Sequence, residues 1–316
     1  MSIFASTFCA RCFAVPFLLK QIIERLIKFL KYIFGTVAVI TFVLFLLMMT
    51  LRLDFVQRRL AAFIADEIED AYGIPIEIEA VEVRSLNDLR LKKVFIRDLA
   101  GDSLIYVDEA RAYLQTMKLL QGKADINTLM LAAPDIRLNR ETPDSPLNIQ
   151  FVIDALTKNK KKDSSLKVRI NQISLYDGRV TYDVLSEPCD STGFDPNHVA
   201  VEDLSCNVSL KNLYKKDLDL NIRSISGVEK CGFVLDKFKA RIKREEGKFL
   251  ISNLELVTPR SNIASRCIEI DVDTTWSNVA IAGDIRSECL DIEDLAPFVT
   301  LPDTHIPPLA FDVEGY

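Results

Sequence analysis

This 316-residue chain has only 2 histidines and 11 glycines. His198 and His305 each lie in a polar or proline-rich stretch that reads as loop, so a histidine metal centre or a Ser-His-Asp triad lacks partners. No GxSxG, GxxxxGK[ST] or strand-linked GxGxxG pattern occurs, which removes nucleophile elbows and phosphate-cradling loops. The chain therefore reads as a non-enzyme with no cofactor and no metal. A long basic stripe is also missing and the formal net charge is -6, so the electrostatic footprint of nucleic-acid binding is absent. Acidic clusters at 66–70 and 291–294 sit on helix-like segments, where they read as solvated faces or as charges favoured near a helix N-terminus.

Seven cysteines cannot all pair, and Cys9 and Cys12 are separated from the other five by a long apolar run. Their CxxC spacing stands alone, without a second pair or a following βαβ pattern, and is a weak metal or redox signal. Cys189, Cys206, Cys231, Cys267 and Cys289 fall mostly on strand-like segments at irregular spacing and read as small buried hydrophobes. One disulfide among them is compatible with the sequence, which does not select a pair.

Twenty residues, 32–51, carry no charge and are dominated by Val, Ile, Leu and Phe. At about 1.5 Å per residue such a helix spans roughly 30 Å, the hydrocarbon thickness of a bilayer. The run is longer than a signal-peptide core and ends in Met48-Met49-Thr50-Leu51-Arg52, which offers no small-residue cleavage site. Lys20, Arg25, Lys28 and Lys31 on its N-terminal flank, against Glu24 alone, predict that residues 1–31 stay in the cytoplasm and the remainder lies across the membrane. Residues 17–27 have an amphipathic pattern expected of an interfacial helix leading into the span. A 27% charged and 49% hydrophobic composition excludes both a disordered tail and a polytopic transporter.

Beyond the anchor, Asp54 is a helix start. Phe55, Leu60, Phe63, Ile64, Ile68 and Ala71 then recur at helical spacing until Gly73 stops the run. The period switches to two at Ile74, Ile76 and Ile78. Strand patterns follow at 89–96, 104–107, 110–114, 126–131 and 136–138, broken by helical inserts at 117–121 and 147–157, the latter apolar at Ile149, Val152, Ile153 and Leu156. A basic, polar linker at 158–165 sets a boundary between a first β section, 53–157, and a second, 166–316. The second section holds strand patterns at 168–173, 180–184, 201–210, 218–225, 233–242, 249–256, 268–272 and 279–285. Asp177-Gly178 and Glu246-Gly247 read as turns between neighbours, as an antiparallel meander requires. Such a sheet has one apolar face and few helices to cover it, so it must close, pair into a sandwich, or leave that face as an open gutter.

The order of anchor, helix, Gly73-Ile74-Pro75-Ile76-Glu77-Ile78 and strands resembles the start of AsmA-like proteins, nearest the TamB (translocation and assembly module) branch. The same likeness is carried by the segments 101–110, 126–131 leading into Pro134-Asp135-Ile136-Arg137-Leu138, 146–156 and 290–298. The resemblance implies a long groove-like antiparallel sheet, a β-taco with short helical inserts, anchored in the inner membrane and exposed to the periplasm. It implies a role in phospholipid transfer between membranes, with an outer-membrane barrel assembly factor as a further partner. Leu218, Leu220, Ile222, Ile268, Ile270, Val279 and Ile281 are the expected groove lining. The alternative role is a scaffold for outer-membrane protein insertion or secretion, without lipid cargo. Relatives of this kind continue past an edge such as 309–316, so the chain is expected to be the N-terminal part of a longer assembly.

Overall fold

The computed structural model describes residues 7–315 except 86, 116–117, 119–124, 158–168, 190–192, 212–217, 246–247, 273–278 and 299–306, with backbone alone for 7–23, 156–157, 211, 245 and 272. Two compact units divide at Val56/Gln57. The first is dominated by one helix, α1 (Thr7–Thr50), which runs without a break where separate interfacial and spanning helices were expected. No glycine or proline lies in the stretch between the expected helices, so nothing interrupts the hydrogen-bond ladder there. Its part from Glu24 to Thr50 is the single described helix long and apolar enough to cross a membrane. Thr36, Thr41 and Thr50 turn their hydroxyls back to the carbonyls of Tyr32, Val37 and Leu46, so these polar groups add no unsatisfied donor to the apolar surface.

Helix α2 (Asp54–Tyr72) begins and ends where the sequence indicated, and Gly73 closes it with a left-handed φ of 70° while its N–H bonds to the Glu69 carbonyl. Its buried positions match the expected stripe in part. Ala71 is buried and Ile68 packs on the core as expected, whereas Ala61 and Ala65 are buried outside the stripe and Phe55 and Phe63 are exposed.

A single sheet follows: β1 (Ile76–Ser85), β2 (Asp88–Arg97), β3 (Ser103–Leu114), β4 (Asp125–Ala132), β5 (Asp135–Arg140), β6 (Arg169–Ile170), β7 (Gln172–Val184), β8 (His198–Lys211), β9 (Asp219–Glu229), β10 (Val234–Glu245), β11 (Lys248–Val257), β12 (Asn262–Val272), β13 (Val279–Leu290) and β14 (Leu309–Gly315). Neighbours follow chain order, and β4 and β5 lie end to end so that both pair with β3 and β7. The meander has one interruption: β7 pairs in parallel with both β4 and β5, and β6 in parallel with β4. A helix, α3 (Gln150–Thr157), lies in the connection that turns the chain back for this parallel step, as a crossover requires. The linker at 158–165 and nearly all of the insert at 117–121 fall outside the described residues.

The strands change parity part-way along. Lys93, Ala133, Asp177 and Asp203 have positive φ; Ala133, in the link between β4 and β5, donates its N–H to the Tyr176 carbonyl beside Asp177 of β7, and Asp203 lies on the adjacent β8. Asn253 on β11 also has positive φ. Asp177-Gly178 is thus a jog inside β7, not the turn its composition suggested. An added Cβ at Gly178 would lie 2.6 Å from Leu175 Cδ2 and 3.1 Å from Pro134, so only glycine passes this point without displacement. The jog keeps apolar side chains on one face in both halves of a strand. Leu91 and Val94 on β2, and Val107 and Ala110 on β3, are odd and even residues that pack in one cluster.

The covered core lies at the β1–β5 end. Leu104, fully buried, joins Ile74 and Val152, with Ile68, Tyr72, Ile96, Leu138, Ile149 and Ala155 packed around them. Ile149 and Val152 of the expected insert therefore reach the core, while Ile153 points out.

Candidate functional site

Period-two side-chain alternation, applied strand after strand, builds one continuous apolar face. A row of directly opposed residues runs Val83, Leu89, Ala112, Leu129, Ile173, Val208, Ile222 and Ala240, crossing β1, β2, β3, β4, β7, β8, β9 and β10. A neighbouring row continues it as Leu210, Leu220, Ile242, Ile251, Ile268 and Gly283, from β8 to β13. Phe249, Ile270 and Ile281 form a third, on β11, β12 and β13. The opposite face carries ion pairs across the strands, among them Arg90 with Glu109, Arg241 with Asp219, Lys237 with Glu255 and Lys248 with Glu269.

Six of the seven expected residues, Leu220, Ile222, Ile268, Ile270, Val279 and Ile281, share this face of the sheet in graded exposure. Ile222 is buried, Leu220, Ile268 and Ile270 are half-buried, and Val279 and Ile281 are 51% and 58% exposed. Leu218 lies one residue before β9, and its carbonyl accepts from the Arg244 N–H. The expected set omitted Ile242, Ile251 and Phe249, which sit between β9 and β12 and complete the rows. Their alternation was present in the sequence, and only the strand order, known from the register, makes them members of the same surface.

Polar groups hold the exposed strands in register. Asp284 on β13 is buried and accepts from the Arg266 guanidinium and from the backbone N–H groups of Arg266 and Cys267 on β12. Burial opposes its charge, but these hydrogen bonds outweigh burial and hold its carboxyl at about 2. Arg266 also reaches Glu314 on β14, so one side chain links three strands. Beside it, a Cβ on Gly283 would lie 2.6 Å from the Cys267 carbonyl and 2.9 Å from Ile268 Cα, a close backbone approach that only glycine allows.

A strap follows β13. Asp291 caps a short 3-10 helix, Ile292–Leu295, by accepting from the Glu293 N–H. Asp294 lies in the first turn of that helix, the second of the two expected settings, and the hydroxyls of Thr258 and Ser261 donate to its carboxylate at 2.5 and 2.6 Å. Phe298 then sets its ring 5.0 Å from both Phe194, in the β7–β8 connection, and Phe233, before β10. The strap thereby joins three hairpin ends at one end of the sheet.

None of the five distal cysteines is buried: Cys189 and Cys267 are exposed and the others half-exposed. Cys267 pairs with Ser252 across the polar face, where alternation puts it opposite to Ile268. His198 opens β8 instead of lying in a loop. His305 lies outside the described residues, and the side chains of Cys9 and Cys12 are not among those described. Among the described residues no cluster of His, Cys, Asp and Glu is arranged to hold a metal ion. No family model, curated protein or solved structure matches the chain.

Proposed function

We propose that this chain is a non-enzymatic envelope protein of the AsmA/TamB kind, held in the inner membrane by α1 with its N-terminus in the cytoplasm. Its sheet then lies in the periplasm and forms part of a groove for phospholipid transfer toward the outer membrane. The observation that carries this reading is the unbroken apolar face, whose covering thins along the chain. Beyond Val184 only Ile222 and Ala240 belong to the buried apolar residues among those described. A soluble domain rarely leaves a contiguous apolar surface of this length open to water, and acyl chains are the ligand that wets such a surface without hydrogen bonds. Lipid extraction of the protein purified in a mild detergent, followed by mass spectrometry, tests it. Co-purifying phospholipid retained after detergent exchange is expected, and a chain free of lipid would count against the groove.

A second reading, a scaffold for outer-membrane protein insertion or secretion, is favoured by a different observation. Among the described residues β14 pairs with β13 alone, which leaves its other edge as a template for strand addition. Capture of an outer-membrane barrel assembly factor by a lipid-free chain would favour this role over the conduit.

A further inference from the structure

The β7–β8 connection carries a titratable contact that neither role uses. His198 is nearly enclosed, with 11% of its side chain exposed. Its Nδ1 lies 2.9 Å from Asp183 Oδ1 on β7, and its Nε2 lies 3.0 Å from the carbonyl oxygen of Glu187 in the connection. Both facing atoms are acceptors. A neutral imidazole has one N–H to donate, so one of the two contacts must then place two lone pairs against each other; the imidazolium donates to both. The charged groups around the ring are of one sign on its own hairpin: Asp183 on β7 and Asp195, buried, in the connection. On the neighbouring turn Glu229 is bound to the Ala200 and Cys231 N–H groups, with Lys230 beside it.

The His198 N–H donates to the Asp195 carbonyl at 3.1 Å, and Phe194, next to Asp195, sets its ring against Phe298 of the strap and donates its N–H to the Pro297 carbonyl at 3.0 Å. Asp195 holds the turn from Phe194 to His198 by accepting from the Asn197 N–H. We propose that His198 is a protonation-dependent clasp: as an imidazolium it ties β7 and β8 to Glu187, and through the 194–198 turn it seats the strap on the end of the sheet. Deprotonation releases the Glu187 contact, frees the ring and loosens the 194–198 turn, and with it the strap at that end of the sheet.

The sign is fixed by the partners. The Asp183 carboxylate and the Glu187 carbonyl raise the His198 pKa above the usual 6.5. The clasp is therefore fully engaged below about 6.5 and lost as pH rises through the higher folded value. Hydrogen exchange of the intact chain in detergent, corrected for the intrinsic pH dependence of exchange, reads it at residues 185–187 and 194–198. Losing one charged hydrogen bond predicts about a tenfold or greater fall in protection there between pH 6 and pH 9, with protection in β2 and β3 unchanged. His198→Gln should remove the pH step at all pH values. Phe298→Ala, which leaves the clasp itself intact, should keep the step at 185–187 and lose it at Phe194. A corrected protection at 185–187 and 194–198 that stays flat from pH 6 to 9 in the unmodified chain would overturn the proposal, as would a step that persists in His198→Gln.

Discussion

The two ends of the sheet solve the same burial problem in opposite ways. At the β1–β5 end, α3 and the C-terminal part of α2 contribute Val152, Ile68 and Tyr72 to a core around Leu104 and Ile74, so apolar side chains are removed from water. From β8 onward the buried residues are mainly polar: Ser209, Glu229, Thr258, Ser261, Ser265, Asp284 and Ser287. There the strands are fixed by hydrogen bonds at jogs and turns while Val279, Ile281 and Ile285 remain exposed. Burial of a Leu or Ile side chain stabilises by about 1.5–3 kcal/mol, whereas a typical internal hydrogen bond contributes about 1 kcal/mol net. The second end is therefore held in shape without consuming its apolar face, an arrangement suited to a surface that must accept a ligand.

The sharpest way to break this comparison is to truncate one apolar residue at each end. Leu104→Ala should cost about 2–5 kcal/mol in denaturant unfolding, because its site is enclosed and cannot collapse fully. Ile270→Ala, on the half-buried face, should cost about 1 kcal/mol or less. Equal costs would mean that the β9–β14 face is packed as tightly as the core and is not available to a ligand.

Gly283→Ala should act next. The added methyl meets β12 backbone, which cannot swing away as a side chain would, so overpacking of about 1–3 kcal/mol is expected. The same change at Gly35, inside α1 with nothing within 4 Å, should not destabilise, since alanine is the better helix former. Thermal melts of the two variants sharpen the claim that close backbone approach, not helix cover, organises the exposed strands.

The smallest expected effect is an acid one. Asp284 has its carboxyl lowered from 3.8 to about 2, so its contribution is complete above about pH 4 and is lost as pH falls through the folded value near 2. Amide exchange at Arg266 and Cys267 should speed up in that window while β2 and β3 stay protected. Asp284→Asn should show raised exchange at those amides already at neutral pH and no further acid step.

Much of the architecture is legible in the sequence because its signals are local. Asp54 and Gly73 bracket α2, and the apolar alternation of β2, β4, β8 and β11 places these strands close to their observed bounds. The parallel step onto β7 is not legible, since it depends on how α3 packs on Leu104, a contact between residues far apart in the chain. The parity jogs are also hidden: Lys93 and Ala133 are ordinary residues whose positive φ is imposed by the sheet, and Asp177-Gly178 carries a turn's composition inside a strand. Of the candidate surface, six of the seven expected lining residues were readable as an alternating face, but Ile242, Ile251 and Phe249 became part of it only through the observed register. Phe63 misled for a related reason, because helical spacing marks a face and does not say whether alanines or large rings will be the ones enclosed.

The account stands or falls on what occupies the apolar face, and site-specific photo-crosslinking in cells reads this directly. A photoreactive residue at Ile270 or Ile281 should capture phospholipid, while the same residue at Glu269 or Ala282, on the opposite face of the same strands, should not. Crosslinks from Ile270 and Ile281 that go only to other strands of this chain, with no lipid adduct, would contradict the account.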